Sequence, residues 1–393
     1  MARTQVLIIG GGFAGLSAAQ ALSSKVDVIL VDAGLDFEWQ PNLHEIVSGL
    51  KRAQALQIPR APLLERWGHR FVRARVLAVD PDNQRALLDN GQTLSYDVLM
   101  VAPGAARLTA SLPQLSTHSV PLRTVADAEQ IRARLQALEA SGRPYHVVVM
   151  GGGFIGVELA GELLRSDAQL PSLKLHLVEG GERLMQGYPE RIHRDVLKEL
   201  TAASVDVRLN TRVASVEPEA VILENGERIA ADLVVDGLGS APPRLLAESG
   251  LAAPRQWAPT RPGLQSVRYD NVFILGDSAA LPSPISKQAY QALKMGAVAA
   301  ENVGRLLRGR SLKTFRPREE VYLITFGEMN TFFAYHGFAV ADRSLSVGRE
   351  LIFQQGMLTF DLPTAEAARQ RLGDRVEDVM LRRVWPQLLR VAS

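Results

Sequence analysis

Short, uninterrupted apolar runs punctuate this chain, and two of the most regular each run straight into three consecutive glycines. Val6-Leu7-Ile8-Ile9 leads into Gly10-Gly11-Gly12-Phe13-Ala14-Gly15, and Val147-Val148-Val149-Met150 leads into Gly151-Gly152-Gly153-Phe154-Ile155-Gly156. Runs rich in β-branched residues, with no polar alternation, predict strands buried on both faces of a parallel sheet. The apolar stretch after each glycine group predicts a helix. Two later blocks repeat as well. Leu87-Leu88-Asp89-Asn90-Gly91-Gln92 and Ile222-Leu223-Glu224-Asn225-Gly226-Glu227 both read as hairpins turning at Asn-Gly. Each is followed by a strand, Tyr96 to Val101 and Ala231 to Asp236. Gly91 and Gly226, Asp97 and Asp232, and Gly104 and Gly239 are all 135 residues apart. One shared offset across three markers implies two copies of a single nucleotide-binding unit.

The second copy reads as an insertion into the first. Pro242 and Pro243 break regular structure, and Asn271 to Asp277 then returns as another buried strand, followed by a helix over about Lys287 to Leu307. The expected fold is α/β: two nested Rossmann-like dinucleotide-binding domains plus a small α+β C-terminal domain. The boundaries are 1–112 and 241–320 for the outer domain, 113–240 for the insert and 321–393 for the C-terminal part. In that last part Val321 to Phe326 and Leu351 to Leu358 read as short strands. A final helix is expected from about Arg375.

Composition narrows the chemistry. The 393 residues contain no cysteine, which excludes disulfides, thiolate metal sites and electron transfer through a cysteine pair. With 44 basic and 42 acidic residues the net charge is +2, so nucleic acid is not an expected partner. Lys51, Arg52 and Arg60 form a short basic stretch that reads as solvated surface. No apolar run approaches the roughly 18 residues that a membrane span needs. The N-terminus reads as a strand entering a turn, and the cytoplasm is the expected location. No metal-ligand spacing stands out.

The glycine groups have a physical role. In the first, Gly10 permits a tight turn, Gly12 lets backbone approach a pyrophosphate, and Gly15 lets helix and strand pack closely. Uncapped N–H groups and the helix dipole then favour the phosphates. Gly151, Gly153 and Gly156 fill the same places in the second copy. Asp32, at the end of the strand after the first turn, and Glu179, at the end of Leu175 to Val178, can each take ribose hydroxyls. A carboxylate repels a 2′-phosphate, which favours NADH over NADPH, although Arg183 lies close in sequence. Two nucleotide sites need one tightly held redox group, and FAD in the outer domain fits.

The order of glycine turn, second glycine turn and Phe273-Ile274-Leu275-Gly276-Asp277 resembles the two-dinucleotide-binding-domain flavoproteins that include the pyridine nucleotide–disulfide oxidoreductases. Within them the chain most resembles the type II NADH dehydrogenases. The segments that carry this are Pro41-Asn42-Leu43-His44-Glu45, Pro121 to Ala128, Gly156 to Leu163 and Val178 to Leu184. The likeness covers residues 1 to about 315. It implies that Asp277 faces the flavin ribityl chain and that Glu158 sits by the nicotinamide. The alternative for Glu158 is an acid near a helix N-terminus, stabilised by the dipole.

The candidate contacts for the two nucleotides are Gly10, Gly12, Phe13, Ala14, Gly15, Asp32, Val76, Ala102, Gly104, Gly276, Asp277, Gly151, Gly153, Gly156, Glu179 and Gly239. The catalytic candidates are Glu158 and Lys287. Where the family carries Ala-Gln-x-Ala-x-Gln at the quinone end of the flavin, this chain reads Ser286-Lys287-Gln288-Ala289-Tyr290-Gln291. Lys287 thus replaces a glutamine. It either stabilises reduced flavin and draws an acidic acceptor, or is a helix-start residue facing water.

His44, Tyr290 and Gln291 are the acceptor candidates, with Phe332, Phe333 and Tyr335 forming either a wall there or a core or dimer contact. The implied activity takes hydride from NADH to flavin N5 and passes electrons to a quinone-type acceptor. Two alternatives stay open, a soluble NADH-dependent reductase of a protein or small organic acceptor and an NADH-sensing flavoprotein. Val376, Val379, Met380, Val384, Leu388 and Leu389 recur at helical spacing with arginines between them. Such a helix either rests on the inner face of a membrane or packs on its own domain or in a homodimer.

Overall fold

The computed structural model describes residues 3–165, 170–335 and 337–360. The chain divides into two compact units. The first comprises Met1–Glu38, Gln57–Ala106 and Ser240–Glu319. The second comprises Trp39–Leu56, Arg107–Gly239 and the described residues from Glu320 onward.

The first unit is built on a five-stranded parallel sheet. Its order is Val272–Ile274, Val98–Val101, Gln5–Ile9, Asp27–Asp32 and Arg70–Arg73. The strand from Gln5 is central, so Val6 to Ile9 is shielded on both faces, as its unbroken apolar run requires. An antiparallel sheet of Val76–Asp80, Arg85–Leu88 and Thr93–Ser95 contains the expected hairpin. Helix Phe13–Ala21 packs on helix Ala289–Leu306 so closely that a Cβ on Gly296 would overlap the carbonyl of Ala14. That later helix starts at Ala289, so Lys287 precedes it, just before the N-cap Gln288.

The second unit repeats the plan. Its parallel sheet runs Val120–Pro121, Leu233–Asp236, Tyr145–Met150, Leu173–Val178 and Asp206–Arg208. Val213–Glu217, Ala220–Leu223 and Arg228–Ala230 form the second antiparallel sheet, with the second hairpin. Thr124 and Asp127 close a reciprocal capping box at the start of helix Val125–Ala140.

The described C-terminal segment belongs to this second unit. Strands Val321–Phe326, Asn330–Tyr335 and Phe338–Ala341 form an antiparallel sheet. The segment Leu351 to Leu358, expected as a strand, lies inside one helix, Leu345–Phe360. Its buried face is Ser346, Arg349, Glu350, Phe353, Met357 and Phe360, at three- and four-residue intervals. Two charged residues on that face masked the helical period. The helix expected from Arg375 lies outside the described residues. Among the described helices, none is long and apolar enough to cross a membrane.

Candidate functional site

The two glycine turns have nearly superimposable local geometry. Gly10 has φ +95° and Gly151 φ +100°, a left-handed conformation that favours glycine. Gly10 N–H donates to Val31 O at 2.8 Å, and Gly151 N–H to Val178 O at 2.8 Å. A Cβ on Gly15 would overlap the Gly10 carbonyl, and one on Gly156 would overlap the Gly151 carbonyl. By contrast, a Cβ on Gly12 or Gly153 would meet no atom within 4 Å. These two glycines are the N-caps of helices Phe13–Ala21 and Phe154–Leu163. Neither helix has a side-chain cap or an acid in its first turn. The first N–H groups of a helix lack internal partners, so here they are available to a ligand. An open space before an uncapped positive helix end fits a pyrophosphate in each unit.

The acids behave alike too. Asp32 accepts from Gly11 N–H at 2.7 Å and Gly34 N–H at 2.8 Å. Glu179 accepts from Gly152 N–H at 2.6 Å and Gly181 N–H at 2.7 Å. Each carboxylate is thus fixed beside its turn by backbone, with lone pairs left over for ribose hydroxyls. Arg183 donates to Glu190 at 2.7 Å.

Arg60 was missed as a site residue. It is buried, although the basic stretch it belongs to reads as solvated surface. Its Nε donates to Gly11 O and its Nη1 to Gly34 O, both at 2.9 Å, and Nη1 lies 3.4 Å from Asp32. Burial lowers its pKa, opposed by Asp32, Glu38 and Asp36. Arg60 therefore braces the first turn from beneath. No local sequence signal marks it, because the bracing bonds span 49 and 26 residues.

Ala14, Ala102 and Gly276, among the remaining candidates of the first unit, lie beside the turn. A Cβ on Gly276 would touch Ala14 Cβ at 3.2 Å, so the Gly276–Ser278 turn packs on the first-turn helix. Ser278 Oγ donates to Gly104 O at 2.7 Å, and a Cβ on Gly10 would overlap the Ala102 carbonyl. Phe13 makes an edge contact with Phe37 at 5.1 Å between centroids. Val76 pairs with Leu88 and packs against the core. In the second unit, a Cβ on Gly239 would meet nothing within 4 Å.

Lys287 donates to the carbonyl of Asp277, and its Nζ lies 2.8 Å from the centroid of the Trp257 ring. Lys287 is exposed, and the desolvation it meets beside that ring lowers its pKa to about 8, against the opposing pull of Asp277. Tyr290 OH donates to Glu319 O at 3.2 Å. Gln291 is buried, with Nε2 donating to Arg318 O at 2.8 Å and Oε1 accepting from Arg318 N–H at 3.0 Å. Both ends of that amide anchor the chain, so an acceptor role for Gln291 would have to displace a structural one.

Glu158 and His44 fall in the second unit, inside a buried charged network. Glu158 is the fifth residue of its helix, past the first turn, and buried. Its carboxylate accepts from Arg349 and from Thr325 N–H at 3.2 Å, and lies 3.5 Å from His44 Nδ1. His44 Nε2 lies 3.3 Å from Thr325 Oγ1. Arg349 also donates to Thr325 Oγ1 and, at 2.6 Å, to Pro41 O. Burial pulls the Arg349 pKa down, but Glu158, Glu45 and Glu162 outweigh it and the pKa is raised.

Lys51 belongs to the same region. It is buried against Glu350 at 2.7 Å and Glu45 at 3.6 Å, which corrects its reading as surface. Phe332 is core, paired in register with Ile324 and Ala341. Among the described residues no cluster of His, Asp and Glu is arranged to hold a metal ion.

Two parallel-sheet units, each with a glycine cradle and a strand-end acid, define a protein that binds two dinucleotides. The sequence model of the pyridine nucleotide-disulphide oxidoreductase family matches residues 4–296, and the chain belongs to that family. It is therefore an FAD-dependent oxidoreductase that works with a pyridine nucleotide. The demethylphylloquinone reductase NdbB of Synechocystis sp. is 28% identical over 372 residues, covering 90% of this chain and 92% of the relative. The type II NADH:quinone oxidoreductase of Staphylococcus aureus is 24% identical over 343 residues, covering 80% and 85%. Among solved structures, NDH2 from Plasmodium falciparum in complex with NADH aligns with a TM-score of 0.83 at 14% identity, covering 97% of this chain and 99% of that one.

Proposed function

We propose that this flavoenzyme oxidises NADH and reduces a quinone, with no cysteine in the electron path. The observation that carries the proposal is the pair of open, uncapped glycine cradles, one in each unit, in a chain with no cysteine. The names of the two sequence relatives, a demethylphylloquinone reductase and an NADH:quinone oxidoreductase, support the acceptor class.

In this reading the first cradle, with Asp32 held over Arg60 and with Asp277, holds FAD. The second cradle holds the NADH pyrophosphate, and Glu179 takes the ribose hydroxyls. FAD bound there would supply the two-electron redox chemistry between NADH and the acceptor. The protein contributes binding, orientation and charge. The Arg349, Thr325 and His44 contacts hold Glu158 in one rotamer, as a positioning group for the nicotinamide. Lys287 is assigned to the acceptor end, where its positive charge favours reduced flavin. His44 and Tyr290 remain proposed acceptor contacts. Contact with a membrane surface or a second copy, through residues 374–393, is likewise proposed.

The test is anaerobic stopped flow. NADH should bleach the flavin, and menadione should restore its colour within seconds. Reoxidation no faster than in buffer, with menadione and with longer-chain quinones alike, would remove quinones as the acceptor class.

A further inference from the structure

Resting on the assignment of FAD to the first cradle and NADH to the second, we propose that Arg60 makes the first cradle the retentive one. FAD then stays bound through turnover while NADH exchanges. The two cradles share the left-handed glycine, the open N-cap glycine and the uncapped helix end. A diphosphate would meet the same kind of donors in each. These shared features give no reason for one dinucleotide to stay and the other to leave.

The difference lies beneath the turns. In each unit two glycines donate N–H groups to the strand-end acid, Gly11 and Gly34 to Asp32, and Gly152 and Gly181 to Glu179. The carbonyls of the same four glycines need donors of their own. In the second unit Gly152 O accepts from Met185 N–H and Gly181 O from Asn210 N–H, both at 2.8 Å. In the first unit Gly11 O and Gly34 O both accept from Arg60, at 2.9 Å. Neutral backbone fills both places in one cradle, and a single guanidinium fills them in the other. The space under the middle glycine corresponds as well. A Cβ on Gly11 would meet the Arg60 side chain, and one on Gly152 would meet Leu184.

This exchange changes the charge under the phosphate turn. Arginine stays protonated even where it is buried. Arg60 is buried 3.4 Å from Asp32, with Asp36 and Glu38 adding further negative charge around it. It offsets that charge where a dianionic diphosphate would dock. Among the described residues, backbone N–H groups alone hold Glu179. A buried cation is screened far less than an exposed one, so its pull on an anion persists at ordinary salt. The guanidinium also ties the phosphate turn to the loop that carries the acid. Pyrophosphate and ribose contacts are thereby set at one spacing before the nucleotide arrives. Arg60 acts through the turn and through Asp32, as a positioning residue.

Wild type, Arg60→Gln and Arg60→Lys separate charge from bracing. Glutamine and lysine both donate hydrogen bonds, and only lysine is charged. Free FAD fluoresces more than bound FAD, so its release on dilution of each holoenzyme reads retention without turnover. Arg60→Gln should release FAD at least about thirtyfold faster than wild type, and Arg60→Lys should stay within about fivefold. ADP-ribose probes the second cradle. By calorimetry in excess FAD it should bind all three proteins with the same Kd.

A folded Arg60→Gln protein that keeps FAD as wild type does overturns the proposal. So does an Arg60→Lys protein that exceeds the fivefold bound, a result that decides even where the glutamine variant does not fold. Weakened ADP-ribose binding alongside the loss of FAD also overturns it, because Arg60 would then support the fold rather than one cradle. A wild type that takes up no FAD overturns the flavin assignment itself.

Discussion

At the scale of single residues, the glycines of each turn do different work. Gly12 has open space where a Cβ would go, and Gly15 has the Gly10 carbonyl there. Gly12→Ala should therefore leave stability within about 1 kcal/mol of wild type. It should nevertheless weaken FAD binding roughly tenfold or more, because the methyl occupies the phosphate's place. Gly15→Ala should cost about 3 kcal/mol, since helix and strand must separate. Thermal melts of the apoprotein, with FAD titrations, check both. Equal destabilisation by the two would show that the Gly12 cradle is not open.

The turn and its acid were legible in the sequence because their bonds are local or follow a fixed spacing. Arg60 was not, because it reaches Gly11 and Gly34 only once the chain has folded. Lys287 was legible as a departure from the family pattern. Its contact with Trp257, thirty residues away, was not.

At the scale of elements, helix Leu345–Phe360 matters most, because it delivers Arg349 to Glu158 and Glu350 to Lys51. Arg349→Met should cost about 3–5 kcal/mol by leaving Glu158 buried without its cation. The double variant Arg349→Met/Glu158→Gln should recover part of that loss, because no charge is then stranded. Chemical denaturation of the two would decide this, and a double variant no more stable than the single would contradict the pairing. Burial opposes the Arg349 charge, but its raised pKa keeps it protonated. Its contribution is present below the ordinary arginine range and would be lost only above it, so alkaline pH in the working range should not weaken the pair.

The parallel strands and both hairpins were readable as continuous apolar runs and Asn-Gly turns. The C-terminal helix was misread because its inward face mixes Arg349 and Glu350 with Phe353, Met357 and Phe360. Hydrophobic periodicity fails where a helix buries paired charges. The same pairing hid Lys51, whose partners Glu45 and Glu350 come from six and 299 residues away.

At the scale of the whole molecule, one nucleotide-binding plan is used twice. The second unit repeats the parallel sheet, hairpin, cradle and acid of the first. We propose that the copies are nested in the chain, with boundaries near 112, 240 and 320. The 135-residue offset made the repeat visible, most plainly at the hairpin glycines Gly91 and Gly226, whose φ of +82° and +84° favour glycine. What each copy binds is the central claim, and an anaerobic titration of the purified holoenzyme with NADH tests it most directly. The flavin absorbance near 450 nm should bleach to completion at about one NADH per FAD, as expected when one bound nucleotide passes two electrons to the other. Flavin that stays oxidised in excess NADH without air, or a protein that takes up no FAD on reconstitution, would contradict it.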